Sequence, residues 1–142
     1  MNMISDNALN ALIRVGHLAT QAGLVAQSIR FFEHLRDAYP LKAFPYVGIG
    51  LACIKTGRYA QAYEAFEQAR TLDGSNGDIR LWCGICHLHC GRFAKSAQIF
   101  REIIATPPAT GLDGFLELAK LLLDSPQLSP FRRPIVPQHI RG

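Results

Sequence analysis

Apolar residues in the middle of the chain fall at three- and four-residue steps. Tyr46, Ile49 and Cys53 mark one stripe and Ala62, Phe66, Ala69 and Leu72 a second, with Gly57-Arg58-Tyr59 between them. Steps of this size line one side of an α-helix, so the pattern predicts two amphipathic helices joined by a tight turn at Gly57. A first helix is expected from roughly Asn7 to Ala22, and a last one over "LDGFLELAKLLLD", Leu112 to Asp124. In that last segment Phe115, Leu118, Leu122 and Leu123 share the apolar side, while Glu117, Lys120 and Asp124 face water. No proline falls between Pro45 and Pro107, whereas Pro126, Pro130, Pro134 and Pro137 bar a regular helix from the final residues.

The helical pattern repeats. Glycines recur at Gly16, Gly50 and Gly84 and again at Gly23, Gly57 and Gly91, each series stepping by 34 residues. Phe32, Phe66 and Phe100 keep that step, as do Ser28, Ala62 and Ser96 and the breakers Pro40, Gly74 and Pro108. Each column has a mechanical reason. The first glycine sits mid-helix, where it costs about 1 kcal/mol against alanine and is tolerated if another helix must approach closely. The second falls where a helix ends in a left-handed cap. The small residue makes room on the following helix for the phenylalanine four positions on.

This arrangement, best displayed by Tyr46-x-x-Ile49-Gly50-x-x-Cys53, Gly57-Arg58-Tyr59, Ala62-x-x-x-Phe66, Ala69 and Leu72, is similar to the tetratricopeptide-repeat family. The resemblance implies an all-α fold: a three-repeat solenoid of antiparallel helix pairs, with copies at 9–42, 43–76 and 77–110. A leader over 1–8 precedes them, a capping helix over 111–124 closes them, and a Pro-rich basic tail over 125–142 follows. Size, fold and an apolar groove also make the chain resemble the tetratricopeptide chaperones of bacterial type III secretion, which keep needle or translocator subunits soluble before export. That likeness implies a protein-binding module, and with no phosphate-cradling glycine loop, nucleophile elbow or His-Glu-x-x-His pattern in the sequence, neither an enzyme nor a cofactor is expected. A generic adaptor acting through self-association or its convex face is the alternative.

In such repeats the first helix of each copy lines the binding groove. The expected lining is Ile13 and His17 in the first copy, with Asn10 and Thr20 beside them; Phe44, Val47, Leu51 and Ile54 in the second; and Asp78, Leu81, Ile85 and Leu88 in the third, with Trp82 and His89 at one rim. The lining is mostly apolar. Modules that clamp acidic chaperone tails use lysine and asparagine donors in these columns, and only Asn10 matches in kind. The expected partner is a protein or peptide with apolar anchors, which a secreted needle or translocator subunit would supply, and a homodimer is compatible with the pattern.

Composition adds to this picture at a few points. Hydrophobic residues make up 49% of the 142 and charged residues 18%, an apolar balance that suits a surface reserved for a partner. The net charge of +4 would suggest nucleic acid, but Arg132, Arg133 and Arg141 carry most of it, leaving 12 basic against 11 acidic residues before Ser125. No nucleic-acid partner is expected. Arg14 and His17 interrupt the first apolar segment, so neither a secretory signal nor a membrane span is expected, and a cytoplasmic setting follows.

"CGICHLHC", residues 83–90, suggests a metal or haem site. Covalent haem attachment at Cys83, Cys86 and His87 would require export, and a structural zinc set would need a second half-site that the chain does not show. In the 34-residue register Cys83 shares the column of Val15 and Ile49, and Cys86 that of Leu18 and Ala52, so these thiols are expected to be core packing, with no metal. Glu64 and Glu67 read as a solvated helix face. For the tail two readings stand: a polyproline-like disordered end, or a docking element with Phe131, Ile135 and Val136 as anchors and Arg132 and Arg133 meeting an acidic partner.

Overall fold

The computed structural model describes residues 5–106 and 114–133. Among them are α1 (Asp6–Gln21), α2 (Val25–Ala38), α3 (Phe44–Lys55), α4 (Tyr59–Leu72), α5 (Gly77–His89), α6 (Phe93–Ala105), α7 (Phe115–Leu123) and a short 3-10 turn, Ser129–Phe131, with no strand among the described residues. The fold is all-α and built of antiparallel helix pairs. The chain divides into two compact units, Met1–Gly74 and Ser75–Gly142.

In the first unit α1 pairs with α2, and α3 packs against α1, α2 and α4. The turn between α1 and α2 is a Schellman cap: Gly23 adopts φ 88°, its N–H donates to the Thr20 carbonyl at 3.1 Å, and the Leu24 N–H donates to Ala19 at 2.9 Å. Gly57, φ 74°, repeats that cap between α3 and α4, with its N–H on Ile54 and the Arg58 N–H on Cys53, both at 2.9 Å. A side chain at either glycine would meet no neighbour, so conformation and not space selects glycine there.

Space selects the other glycine column. A Cβ on Gly16 would lie 2.4 Å from the Phe32 ring, and one on Gly50 would lie 2.6 Å from Phe66. Each ring is fully buried, inserted into the notch left by the glycine of its paired helix. Phe32 is gripped from both sides, since a Cβ on Gly48 would meet it at 2.4 Å as well; one ring thus locks α1, α2 and α3 together. The Ser28 hydroxyl adds a polar staple, donating to the Gly16 carbonyl at 3.0 Å and lying 2.6 Å from the Thr20 hydroxyl.

The second unit uses the same devices. Gly91, φ 77°, ends α5 in a Schellman cap, with its N–H on Leu88 at 3.1 Å and the Arg92 N–H on His87 at 2.8 Å. Phe100 fills the Gly84 notch, where a Cβ would lie 2.6 Å from its ring, and Ser96 donates to the Gly84 carbonyl at 2.7 Å. The core here gathers Leu81, Ala97, Phe100, Ile103, Ala119, Leu123 and Leu128 from α5, α6, α7 and the segment beyond.

Three features depart from the sequence-based expectation. First, α1 begins at Asp6, inside the expected leader, because the Ser5 hydroxyl accepts from the Ala8 N–H at 3.3 Å and starts the helix there. Second, α7 begins at Phe115, after Gly114 at φ 87°, with Leu112 and Asp113 outside the described residues. Third, residues 125–133 are not a free polyproline end. Leu128 is fully buried, the Arg101 guanidinium donates to the Phe131 carbonyl, and Arg132 pairs with Asp124 at 2.6 Å, so the segment straps back onto α6 and α7. The anchors Ile135 and Val136 lie outside the described residues.

Candidate partner-binding site

In the second unit α5 starts where the Asn76 side chain accepts from the N–H groups of Asp78 at 2.9 Å and Ile79 at 3.4 Å. Gly84 turns one side of this helix to Phe100. The Leu81–Ile85 side is turned to α7, where Phe115 and Leu118 meet it. Between them lies a pocket of about 210 Å³ lined by Asp78, Leu81, Trp82, Ile85, Gly114, Phe115 and Leu118, apolar except for one carboxylate. A volume of that order holds one or two aliphatic side chains or a single ring.

In the first unit Ile13, His17, Phe44, Val47, Leu51 and Ile54 are all half-buried and lie on two helices, α1 and α3, that pack against each other. Half-burial leaves each side chain a solvent-facing portion while its root is held by the fold. The His17 ring sits 5.2 Å from that of Phe32, and burial holds its pKa below the ordinary histidine value. Phe44 rests 6.0 Å from the Tyr39 ring.

Leu81 corrects one expectation. It is buried at 6% exposure as part of the α5–α6–α7 core, so it forms the floor of the pocket and not an open strip; Ile85 and Leu88 are partly buried against the same cluster, and Trp82 is half-buried at the pocket wall. Phe115 and Leu118, read from sequence as lid residues, prove to be walls of the pocket. The signal was present in the register, since one more step of 34 carries Leu81 onto Phe115 and Ile85 onto Ala119, which is fully buried.

A second correction concerns Val15 and Leu18, expected as packing positions. They are 56% and 62% exposed. Among the cysteines, Cys83 and Cys86 are buried at 1% and 0%, Cys90 is half-buried and His89 exposed. His87 is buried and accepts at Nδ1 from Arg92 Nε at 2.8 Å, a bond that fixes its lone pair toward the guanidinium. No group of three or more His, Cys, Asp or Glu residues placed to hold a metal ion is found among the described residues. Burial also pushes the Cys53 thiol pKa up, with Arg58 opposing it. Glu64 and Glu67 border a shallow cleft of about 420 Å³ with Arg36, Tyr46 and Tyr63, and Glu67 pairs with Arg70 at 2.8 Å. None of the described helices is long and apolar enough to cross a membrane.

Stacked helix pairs with this notch-and-cap construction define the tetratricopeptide class, and the Tetratricopeptide repeat family model matches residues 54–110. Residues 54–110 thus carry the tetratricopeptide-repeat pattern, and the described helices have the fold of that class. Among curated proteins, the TPR repeat-containing protein YpiA of Bacillus subtilis is 25% identical over 114 residues, which is 80% of this chain and 26% of YpiA; the chain thus spans about a quarter of that relative. Among solved structures, the Yersinia enterocolitica type III secretion translocator chaperone SycD matches with a TM-score of 0.73 at 19% identity, over 91% of this chain and 90% of SycD. PcrH of Pseudomonas aeruginosa, in complex with the chaperone binding region of PopD, matches with a TM-score of 0.70 at 22% identity, over 87% and 94%. SycD in complex with a peptide of the translocator YopD matches at 0.70 and 20%, over 92% and 97%. At these identities the structural likeness establishes the fold.

Proposed function

We propose that the chain is a cytoplasmic chaperone that holds an apolar segment of a type III secretion subunit, of the needle or translocator kind, on the first-helix faces of its repeats. The observation that carries this reading is the apolar pocket between α5 and α7, walled by Trp82, Ile85, Phe115 and Leu118. It is supported by the half-buried strip from Ile13 to Ile54 on α1 and α3. The fold shared with SycD, solved with a peptide of the translocator YopD, and with PcrH, solved with the chaperone binding region of PopD, points the same way. The role is binding, with no catalytic step. Four to six anchors buried at about 25 cal/mol per Å² supply ample gross free energy, and ordering costs reduce it to about micromolar-to-nanomolar affinity.

The test is co-expression of the full chain with the needle and translocator subunits encoded in the same genome. One of them is expected to stay soluble and co-purify, and Leu51→Glu or Leu118→Glu to lower that capture by about tenfold or more while the helical circular-dichroism melt persists. Undiminished capture by both folded variants overturns the reading. The exposed Val15 and Leu18 favour a second one, an adaptor that self-associates through α1. In that case Val15→Lys with Leu18→Lys, and not the pocket variants, lowers both capture and oligomeric mass.

A further inference from the structure

The strap over 125–133 fixes where the rest of the chain departs. Leu128 is sealed in the core, and Arg132 is bound to Asp124, the residue that caps the C-terminal end of α7. Beyond Arg133 remain residues 134–142, PIVPQHIRG, which lie outside the described residues. A segment of nine residues can reach about 28 Å at ~3.1 Å each. Along α7 itself, the run from Asp124, where Arg132 is bound, to the pocket wall is shorter than that reach. Six residues of α7 separate Asp124 from Leu118 at the pocket wall, about 9 Å at 1.5 Å per residue.

The path between is apolar. Leu121 is 70% exposed and Leu118 41% exposed, and as i and i+3 neighbours they stand on one side of α7 leading from the strap to the pocket. Charge agrees as well. The segment carries Arg141 and no acid, and the charged residue that lines the pocket is Asp78.

We propose that residues 134–142 of this chain occupy the α7 face and the α5–α7 pocket, with Ile135, Val136 and Ile140 as anchors, so that a client must displace the chain's own tail. The docking does not depend on what the client is; its regulatory consequence rests on the chaperone reading. Tethering gives the tail an effective concentration of the order of mM, so an intrinsically weak contact is enough to fill the pocket while remaining exchangeable.

Trp82 is the one tryptophan in the chain and lines the pocket, which makes it a built-in reporter. In the full-length protein, Ile135→Asp with Val136→Asp is expected to raise the acrylamide quenching constant of Trp82 by about twofold, with helical content unchanged. A synthetic PIVPQHIRG peptide, added at about millimolar concentration to that variant, is expected to restore protection. Quenching identical in the wild-type and variant chains overturns the proposal. So does protection that vanishes on dilution of the wild-type chain, which would make a second copy the occupant. Client capture reports separately: loss of capture in Leu118→Glu with unchanged quenching in the tail variant retains the chaperone reading and sinks this one, and the converse result does the opposite.

Discussion

The chain has two ends built from the same repeat, and they are finished differently. At α1 the outward column, Val15 and Leu18, is more than half exposed, and Leu24 at the following turn is 50% exposed. On α3, which packs against α1, α2 and α4, the equivalent column is Ile49, half-buried, and Ala52, fully buried. After α6 the exposed flank is closed by α7 and by the strap that buries Leu128 completely. Identical register therefore yields opposite burial, decided by which described helices pack on that side. A repeat sequence specifies which side of a helix can pack, and its position in the array specifies whether it does.

The sharpest way to break this comparison is to truncate one leucine at each end. Leu128→Ala removes a fully buried side chain from a core that cannot close over it, and is expected to cost about 2–4 kcal/mol. Leu18→Ala removes a side chain that is 62% exposed, and is expected to change stability by about 0.5 kcal/mol or less. Urea unfolding of the two variants checks it. Equal costs would show that α1 is covered in solution and that the two ends do not differ.

A smaller effect separates the copies within the array. Ser96 reaches the Gly84 carbonyl and Ser28 the Gly16 carbonyl, whereas the middle copy has Ala62, fully buried, in that column. Ser96→Ala is expected to cost about 1 kcal/mol, the net worth of one buried hydrogen bond. Ser28→Ala should cost less, since Thr20 already donates to the same Gly16 carbonyl at 3.3 Å and keeps it served. Denaturant midpoints that place Ser28→Ala above Ser96→Ala in cost would contradict this ordering.

The fold could be read from the chain because the 34-residue register is made of steric necessities. Gly16, Gly50 and Gly84 are notches for phenylalanine rings, Gly23, Gly57 and Gly91 are left-handed caps, and neither role tolerates another residue cheaply. Burial at the edges was not readable, since Val15 and Cys83 occupy one column and differ by 55 percentage points of exposure. The pocket was half readable. Its α5 wall followed from helical spacing, but its α7 wall needed the register to be carried one step past the last recognisable copy, where Phe115 stands for Leu81 and Ser125 stands in the column of the cap glycines. The strap was hidden for a different reason: prolines exclude a helix without excluding a docked segment, and Leu128 between Pro126 and Pro130 carries no periodic signal.

The smallest effect concerns His17, which stands in the column of Leu51 and Ile85 and is the one titratable group in the α1–α3 strip. Burial lowers its pKa below 6.5. A base whose folded pKa is depressed binds fewer protons folded than unfolded, so its contribution is fully present above the unfolded value and is lost as pH falls through 6.5 toward the folded value. The melting temperature of the wild-type chain is therefore expected to drop between pH 7.5 and pH 5.5 by more than that of His17→Gln, with the two chains converging in slope above pH 7. Because the ring is only half-buried the difference is small, and it is isolated by comparing the two chains rather than two pH values of one. A variant that loses as much as the wild type on acidification would place the proton uptake elsewhere and leave the strip without a titrating group.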